Sequence, residues 1–304
     1  MHRVIIDCDP GIDDALALLL ACASPEIELL GVTAVAGNRP VEVTGLNACR
    51  ILDVAGRTAV PVFAGCARPL AYAAPRCNGV HGDDGLGGVR LATGREPGEE
   101  HASDFIANTL LAAEANSVTL VAVGPLTNLA LAEIKHPGVL QRAKQLLVMG
   151  GAAFCPGNVT PSAEFNFYAD ALAAHIVMSA GAQVQLFGLD VTGKAAMPDD
   201  WIASFGEIDS RCGRAALGML QSYAKHDPLL HDACPVAWLL DPTLFRGEPA
   251  SVAVDWRPGP TEGQTCVWPL SRKDRPQATN AIVFTDVDGA RLLALVRERI
   301  ALLP

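Results

Sequence analysis

A chain of 304 residues that is 50% hydrophobic and 18% charged has enough apolar material for a buried core and the composition of an ordinary soluble domain. The formal net charge is −10, and no run of Lys or Arg exceeds two residues, so nucleic acid is disfavoured as a partner. No apolar stretch reaches the roughly 18 residues of a membrane span, and the N-terminus runs into a strand without a basic flank and cleavage site. We therefore expect no membrane association and a cytoplasmic location.

Strand and helix patterns alternate along the chain from its start. Strands are predicted at 3–6, 29–36, 60–63, 119–123, 145–149 and 184–187. Helices are predicted at 13–22, 41–54, 104–115, 126–134, 171–179, 214–223, 234–240 and 289–300. This alternation favours an α/β fold with an open, mostly parallel sheet flanked by helices.

Three late stretches and two long irregular segments complete the prediction. Residues 251–255, 265–268 and 281–284 are predicted strands, with antiparallel pairing at one edge of the sheet as an option. Residues 64–103 and 151–169 lack a regular pattern, and loops of that length in a compact domain are usually functional or mobile.

The nine cysteines are odd in number, scattered, and never spaced as Cys-x-x-Cys. The absence of that spacing removes the usual cue for a zinc site or for thioredoxin-type chemistry. We expect most of them to be reduced and buried as small hydrophobic residues.

The strongest feature is the acidic run Asp7-Cys8-Asp9-Pro10-Gly11-Ile12-Asp13-Asp14, at the point where a buried strand gives way to a helix. Four carboxylates so close together raise one another's pKa unless a cation or hydrogen-bond donors compensate. Carboxylate oxygens suit calcium or magnesium, and open α/β sheets bind ligands at the carboxyl ends of their strands. A solvated acidic turn in which Asp13 caps the helix is the alternative.

The segment from Val4 to Ala15 closely resembles the N-terminal motif of the inosine–uridine-preferring nucleoside hydrolases. Further matches follow in order, and the resemblance extends from residue 4 to about 245. These matches are Val35-Ala36-Gly37-Asn38, Gly124-Pro125-Leu126-Thr127-Asn128, Ala163-Glu164-Phe165-Asn166 and His231-Asp232.

The resemblance implies a Rossmann-like nucleoside hydrolase fold and hydrolysis of the N-glycosidic bond of ribonucleosides to ribose and free nucleobase. It implies a Ca²⁺ ion held by the carboxylates of Asp9, Asp14 and Asp232 and by the backbone carbonyl of Val123. Asp9 is also the implied general base, which activates a metal-bound water. Because these ligands come from both ends of the chain, we expect one domain over residues 1–304.

The resemblance also implies residues that bind the substrate, and a homodimer or homotetramer as the assembly. His231 is the implied acid that protonates the leaving base, with a structural histidine as the alternative. His81 is the implied contact to the nucleobase. Ribose contacts are implied for Asp13, Asn38, Asn158, Glu164 and Asn166. Asn38 and Asn158 each follow a glycine, so that simple turn residues are an alternative for both.

Departures from the family pattern leave the preferred nucleobase open. His81 is followed by Gly82-Asp83-Asp84-Gly85 where the family has Gly-Glu-Ser-Gly, Ile12 replaces the more frequent Leu or His, and Ala233 replaces a common proline. None of these departures falls on an implied metal ligand.

Two other classes of function share part of this pattern. Haloacid-dehalogenase-like phosphatases also carry Asp-x-Asp after their first strand, but they expect Thr or Val where this chain has Gly11 and have no use for Asp13-Asp14. A calcium-binding or ribose-binding module without turnover is the other class, and the presence of every implied catalytic group argues against it.

Overall fold

The computed structural model describes residues 1–273 and 278–304, and these residues form one nine-stranded sheet. The strand order is β3-β2-β1-β4-β5-β6-β9-β7-β8. The strands are β1 (His2–Cys8), β2 (Ile27–Ala34), β3 (Val62–Ala64), β4 (Val118–Ala122), β5 (Gln145–Met149), β6 (Val184–Phe187), β7 (Phe245–Val254), β8 (Thr265–Pro269) and β9 (Ala281–Val287).

Helices flank both faces of the sheet. The helices are α1 (Ile12–Cys22), α2 (Val41–Val54), α3 (Ala102–Ala112), α4 (Thr127–Lys135), α5 (Phe165–Ala169), α6 (Ala171–Ser179), α7 (Leu189–Thr192), α8 (Asp199–Ser204), α9 (Arg211–Tyr223), α10 (Ala233–Leu240) and α11 (Gly289–Ile300). Short 3₁₀ turns lie at Leu140–Arg142, Phe205–Glu207 and Pro242–Leu244. The predicted α/β fold with a mostly parallel sheet is confirmed.

The central strands are buried on both faces, as a parallel sheet covered by helices requires. In β1, Val4 and Ile6 join the core under α1, α2, α9, α10 and α11, whereas Ile5 joins the core under α3, α4 and α6. Helix α1 is buried all round, because α2, α9, α10 and α11 pack against it. Its N-terminal end, which carries the acidic run, is therefore held by tertiary packing.

The edge of the sheet is mixed. β9 pairs parallel to β6 and antiparallel to β7, and β8 pairs antiparallel to β7. β7 begins at Phe245, six residues before the predicted start at 251, and β3 runs Val62–Ala64 rather than 60–63. The segment 151–169 is not wholly irregular, since α5 forms at its end.

All nine cysteines are free, and five of them are buried. Among the described residues, no helix is long and apolar enough to cross a membrane.

Candidate active site

A cavity of about 580 Å³ opens at the carboxyl ends of the parallel strands. β2 and β4 lie on opposite sides of β1, so the order of strands reverses there, which is where open α/β sheets bind ligands. The cavity has the size of a small-molecule site. Among the residues that line it are Asp9, Asp13, Asn38, Asn78, His81, Val123, Asn158, Glu164, Asn166, Tyr223, Asp227, His231 and Asp232.

An acidic cluster forms the floor of this cavity. One carboxylate oxygen from each of Asp13, Asp14 and Asp232 lies within 4.8 Å of the others, and all three residues are buried. Asp13 and Asp14 begin α1, whereas Asp232 directly precedes α10, so the packing of α10 against α1 joins the two ends of the chain. The oxygens of Asp9 lie outside this closest group, although Asp9 lines the same cavity.

The carboxylate of Asp9 sits in a space made by two glycines. A Cβ atom added at Gly37 or at Gly124 would overlap an Asp9 oxygen, so neither position tolerates a side chain without movement. Oδ2 accepts a 2.5 Å hydrogen bond from the Asn38 backbone N–H, whereas Oδ1 is buried with no hydrogen-bond partner in the structure. Gly37 after β2 and Gly124 after β4 therefore leave the space that the two carboxylate oxygens of Asp9 occupy.

Burial and mutual repulsion raise the pKa values of these carboxyls. Desolvation raises the pKa of Asp14 to about 7, with the charge of Asp13 adding to it, and raises the pKa of Asp9 and of Asp232 well above their usual range. Five carboxylates line the cavity with no Lys or Arg among the described lining residues. A buried group of carboxylates with orphaned oxygens at Asp9 and Asp13 fits a hard divalent cation.

Asp7 belongs to the acidic run but not to the cavity lining. Its Oδ1 accepts hydrogen bonds from the Thr33 hydroxyl (2.6 Å) and from Asn128 Nδ2 (2.8 Å). Asn128 in turn donates to the Ala34 carbonyl and accepts from Cys66 N. Asn128, from the motif after β4, therefore ties the ends of three neighbouring strands together rather than lining the pocket.

The residues implied as ribose contacts all line the cavity, and Asn158 is the exposed one among them. Asn38 Nδ2 lies 3.2 Å from Asp14 Oδ2, and Asn166 Nδ2 donates to the Val123 carbonyl at 2.8 Å. Asn158 is exposed at the rim of the cavity, and its Oδ1 accepts from Phe165 N.

Glu164 is buried and acts as the N-cap of α5. Its two oxygens accept hydrogen bonds from the backbone N–H groups of Gly151 (2.8 Å), Asn166 (2.7 Å) and Phe167 (3.1 Å). Desolvation raises its pKa, and these backbone donors partly offset the effect. The carboxylate that lines the cavity thus also orders the short helix that presents Asn166.

Aromatic and imidazole groups line a further part of the cavity, next to Asp13 of the acidic floor. His81 stacks on Tyr223 with ring centroids 5.2 Å apart, and its Nδ1 accepts a hydrogen bond from Ile12 N at 3.0 Å. Burial lowers the pKa of His81, which the nearby charges of Asp13 and Asp227 only partly offset. Tyr223 also directs its hydroxyl at Asp13 Oδ2, 3.3 Å away. This side is suited to a flat, neutral ring.

Both ring nitrogens of His231 have partners. Nδ1 lies 2.8 Å from the Thr192 hydroxyl, and Nε2 lies 3.2 Å from Asp227 Oδ2. Burial acts to lower the pKa of His231, but the hydrogen bond and charge of Asp227 and the charges of Asp13 and Glu164 together outweigh it, and the pKa is raised. Asp227, Thr192 and Asn78 were missing from the sequence prediction. The spacing of four between Asp227 and His231 was the one available signal.

Comparison with known proteins decides the family. The model of the family "Inosine-uridine preferring nucleoside hydrolase" matches residues 4–294. The chain belongs to this family. As a nucleoside hydrolase it is a glycosidase that cleaves the N-glycosidic bond of ribonucleosides.

Relatives of this nucleoside hydrolase differ in the base that their names give. The pyrimidine-specific ribonucleoside hydrolase RihA of Photobacterium profundum is 40% identical, over 98% of this chain and 98% of the relative. The inosine-uridine preferring nucleoside hydrolase of Leishmania major is 36% identical, over 97% and 96%. The structure of a purine-preferring ribonucleoside hydrolase from Gardnerella vaginalis matches with a TM-score of 0.91 and 32% identity, over 98% of each chain.

Proposed function

We propose that this chain hydrolyses ribonucleosides to ribose and free nucleobase with Ca²⁺ held by Asp9, Asp14, Asp232 and the Val123 carbonyl. The observation that carries the proposal is the buried acidic floor of the cavity, with two orphaned carboxylate oxygens and no Lys or Arg among the described lining residues. When bound, calcium would neutralise these carboxylates and polarise the attacking water. Asp13 supplies a further oxygen next to this set.

Asp9 is the proposed general base. Its Oδ2 is held by the Asn38 backbone N–H, whereas Oδ1 has no hydrogen-bond partner in the structure. Oδ1 is therefore the atom free to take a proton from the attacking water. The surrounding carboxylates also favour the positive charge that develops on the ribose during glycosidic cleavage.

Asp13, Asn38, Asn158, Glu164 and Asn166 are the proposed ribose contacts. Asp13 Oδ1 is buried with no hydrogen-bond partner, and Asp13, Asn38, Glu164 and Asn166 are all buried and line the same cavity as Asp9. Such groups lose hydrogen bonds when the sugar lacks a hydroxyl, so a 2′-deoxynucleoside should be a poor substrate.

The nucleobase is proposed to lie between the ribose site and the His81–Tyr223 pair, with His231 as the acid that protonates the leaving base. His231 is suited to that role, because the hydrogen bond and charge of Asp227 favour the protonated form of its imidazole. His81 presents its ring to the base by stacking on Tyr223.

The product separates this reaction from phosphate-ester hydrolysis, because a phosphatase would release phosphate from a phosphomonoester and a nucleoside hydrolase releases reducing ribose. A nucleoside-binding module without turnover would bind the nucleoside but release no ribose, so ribose release distinguishes the enzyme from such a module.

The test is a panel of inosine, adenosine, guanosine, uridine and cytidine, with 2′-deoxyuridine and p-nitrophenyl phosphate as controls. We expect release of reducing ribose from at least one ribonucleoside and little reaction with either control. Binding of a nucleoside without ribose release would contradict the proposal.

We also propose the domain organisation, the oligomeric state and the location of the protein. We propose a single domain over residues 1–304, since Asp9 and Asp232 line one cavity. We also propose a homodimer or homotetramer, measurable by light scattering, and a cytoplasmic location, measurable by cell fractionation.

A further inference from the structure

Arg76 anchors the long loop between β3 and α3 beside the cavity. Its guanidinium lies between two aromatic rings, 3.9 Å from the Tyr72 ring centroid and 4.2 Å from that of Tyr168. Nη1 donates to the Tyr168 carbonyl at 2.7 Å and lies 3.0 Å from Glu262 Oε1. The same Glu262 oxygen accepts a 2.6 Å hydrogen bond from the Tyr72 hydroxyl. We call Tyr72, Arg76 and Glu262 the loop clamp.

The loop clamp joins three parts of the chain that are distant in sequence. Tyr72 and Arg76 belong to the loop, Tyr168 belongs to α5, and Glu262 belongs to the turn between β7 and β8. Glu262 is only 6% exposed, and the Arg76 side chain is 22% exposed, so the pair is shielded from solvent. A shielded, planar guanidinium with two stacking partners fixes its loop more firmly than an exposed ion pair.

Two residues beyond Arg76, Asn78 reaches the catalytic side of the cavity. Its Nδ2 donates a 2.8 Å hydrogen bond to Asn38 Oδ1. The Asn38 side chain then donates through Nδ2 to the Asp9 carbonyl (3.1 Å) and toward Asp14 Oδ2 (3.2 Å), while its backbone N–H donates to Asp9 Oδ2. The Asn38 amide is thus held at both ends, by Asn78 on the loop and by the acidic floor.

We propose that Asn78 is a positioning residue for Asp9, acting through Asn38, and that the loop clamp holds Asn78 in place. The inference rests on the proposed role of Asp9 as general base. Because Asn78 donates to Asn38 Oδ1, the Nδ2 end of the Asn38 amide is the one that faces the acidic floor. It also restrains the backbone N–H that binds Asp9 Oδ2, and so the direction in which Oδ1 of Asp9 points.

The central experiment is the kinetics of Asn78→Ala on the best substrate of the panel. We expect kcat to fall about tenfold, the usual scale for loss of one buried hydrogen bond, with KM nearly unchanged. Asp83→Asn is the matched control in the same loop, because the Asp83 side chain is fully exposed and pairs only with Arg39 among the described contacts. It should leave both constants unchanged. A rise in KM with kcat retained would overturn the proposal, since Asn78 would then be a direct substrate contact.

The clamp is tested by Arg76→Ala, alone and combined with Asn78→Ala. If Arg76 acts through Asn78, the double variant should be no slower than Asn78→Ala. Backbone hydrogen exchange over residues 66–82 should also rise in Arg76→Ala, and this readout needs no substrate. Additive kinetic losses or unchanged exchange would overturn the clamp, whereas a wild-type chain that releases no ribose would instead overturn the proposed function.

Discussion

Nε2 of His231 lies 3.2 Å from Oδ2 of Asp227, four positions earlier in the segment between α9 and α10. An ionised carboxylate only accepts hydrogen bonds, so Nε2 carries the proton in this pair. Both residues line the cavity, and His231 directly precedes Asp232 of the acidic floor. The pair therefore holds a proton between His231 and Asp227, inside the cavity in which the leaving nucleobase is proposed to lie.

Replacing His231 with alanine should hurt inosine more than an activated substrate. Hypoxanthine needs protonation to depart, whereas p-nitrophenyl riboside releases a phenolate without help. General-acid loss typically costs about 10²- to 10⁴-fold. We expect a loss of that size in kcat on inosine with near-retention on p-nitrophenyl riboside. Equal losses on both substrates would assign His231 to positioning Asp232 or the sugar.

Asp227→Asn tests the same pair through pH dependence. The acid form of His231 is the active one, so activity falls as pH rises through its pKa. Asp227 raises that pKa, and the neutral amide removes the effect. The alkaline limb of kcat/KM should therefore move to lower pH. Asp209→Asn, at a carboxylate whose side chain is fully exposed, should leave it in place. An unmoved limb in Asp227→Asn would separate Asp227 from the acid.

Asp9→Asn should nearly abolish turnover. The amide keeps the shape of the side chain but cannot take a proton, and it weakens the cation site. We expect a loss of more than about 10²-fold in kcat, with the melting temperature measured to confirm folding. More than about a tenth of wild-type activity on the best nucleoside would contradict the assignment of Asp9.

Asp232→Ala should lower both calcium content and thermal stability in calcium. A ligand that binds only the folded chain stabilises it by mass action, so a weakened site loses that increment. Elemental analysis gives calcium per chain, and melting with and without added calcium gives the stabilisation. An unchanged calcium stoichiometry in the variant would remove Asp232 from the site.

Much of the fold was predictable because its signals are local. Helix α1 was predicted at 13–22 and runs Ile12–Cys22. Helix α5 was missed because it depends on a tertiary contact, since Glu164 caps it while also binding Gly151 N. The pairing of β9 with β6 as well as β7 is equally non-local and has no sequence signature.

The candidate site divides in the same way. Its acidic run is contiguous in sequence, so Asp9, Asp13 and Asp14 were evident from residue type and spacing. Asn78 meets Asn38 across 40 positions, and Thr192 meets His231 across 39. Only the folded chain reveals such partners, because nothing in either local sequence marks them.

The most direct test of a calcium-dependent ribonucleoside hydrolase is a calcium titration of the metal-stripped wild-type chain. Bound calcium and ribose release from the best nucleoside would be measured on the same samples. We predict that stripping abolishes ribose release and that activity returns in proportion to bound calcium, up to about one ion per chain. Full activity in the stripped chain, or calcium binding that restores no ribose release, would contradict the account.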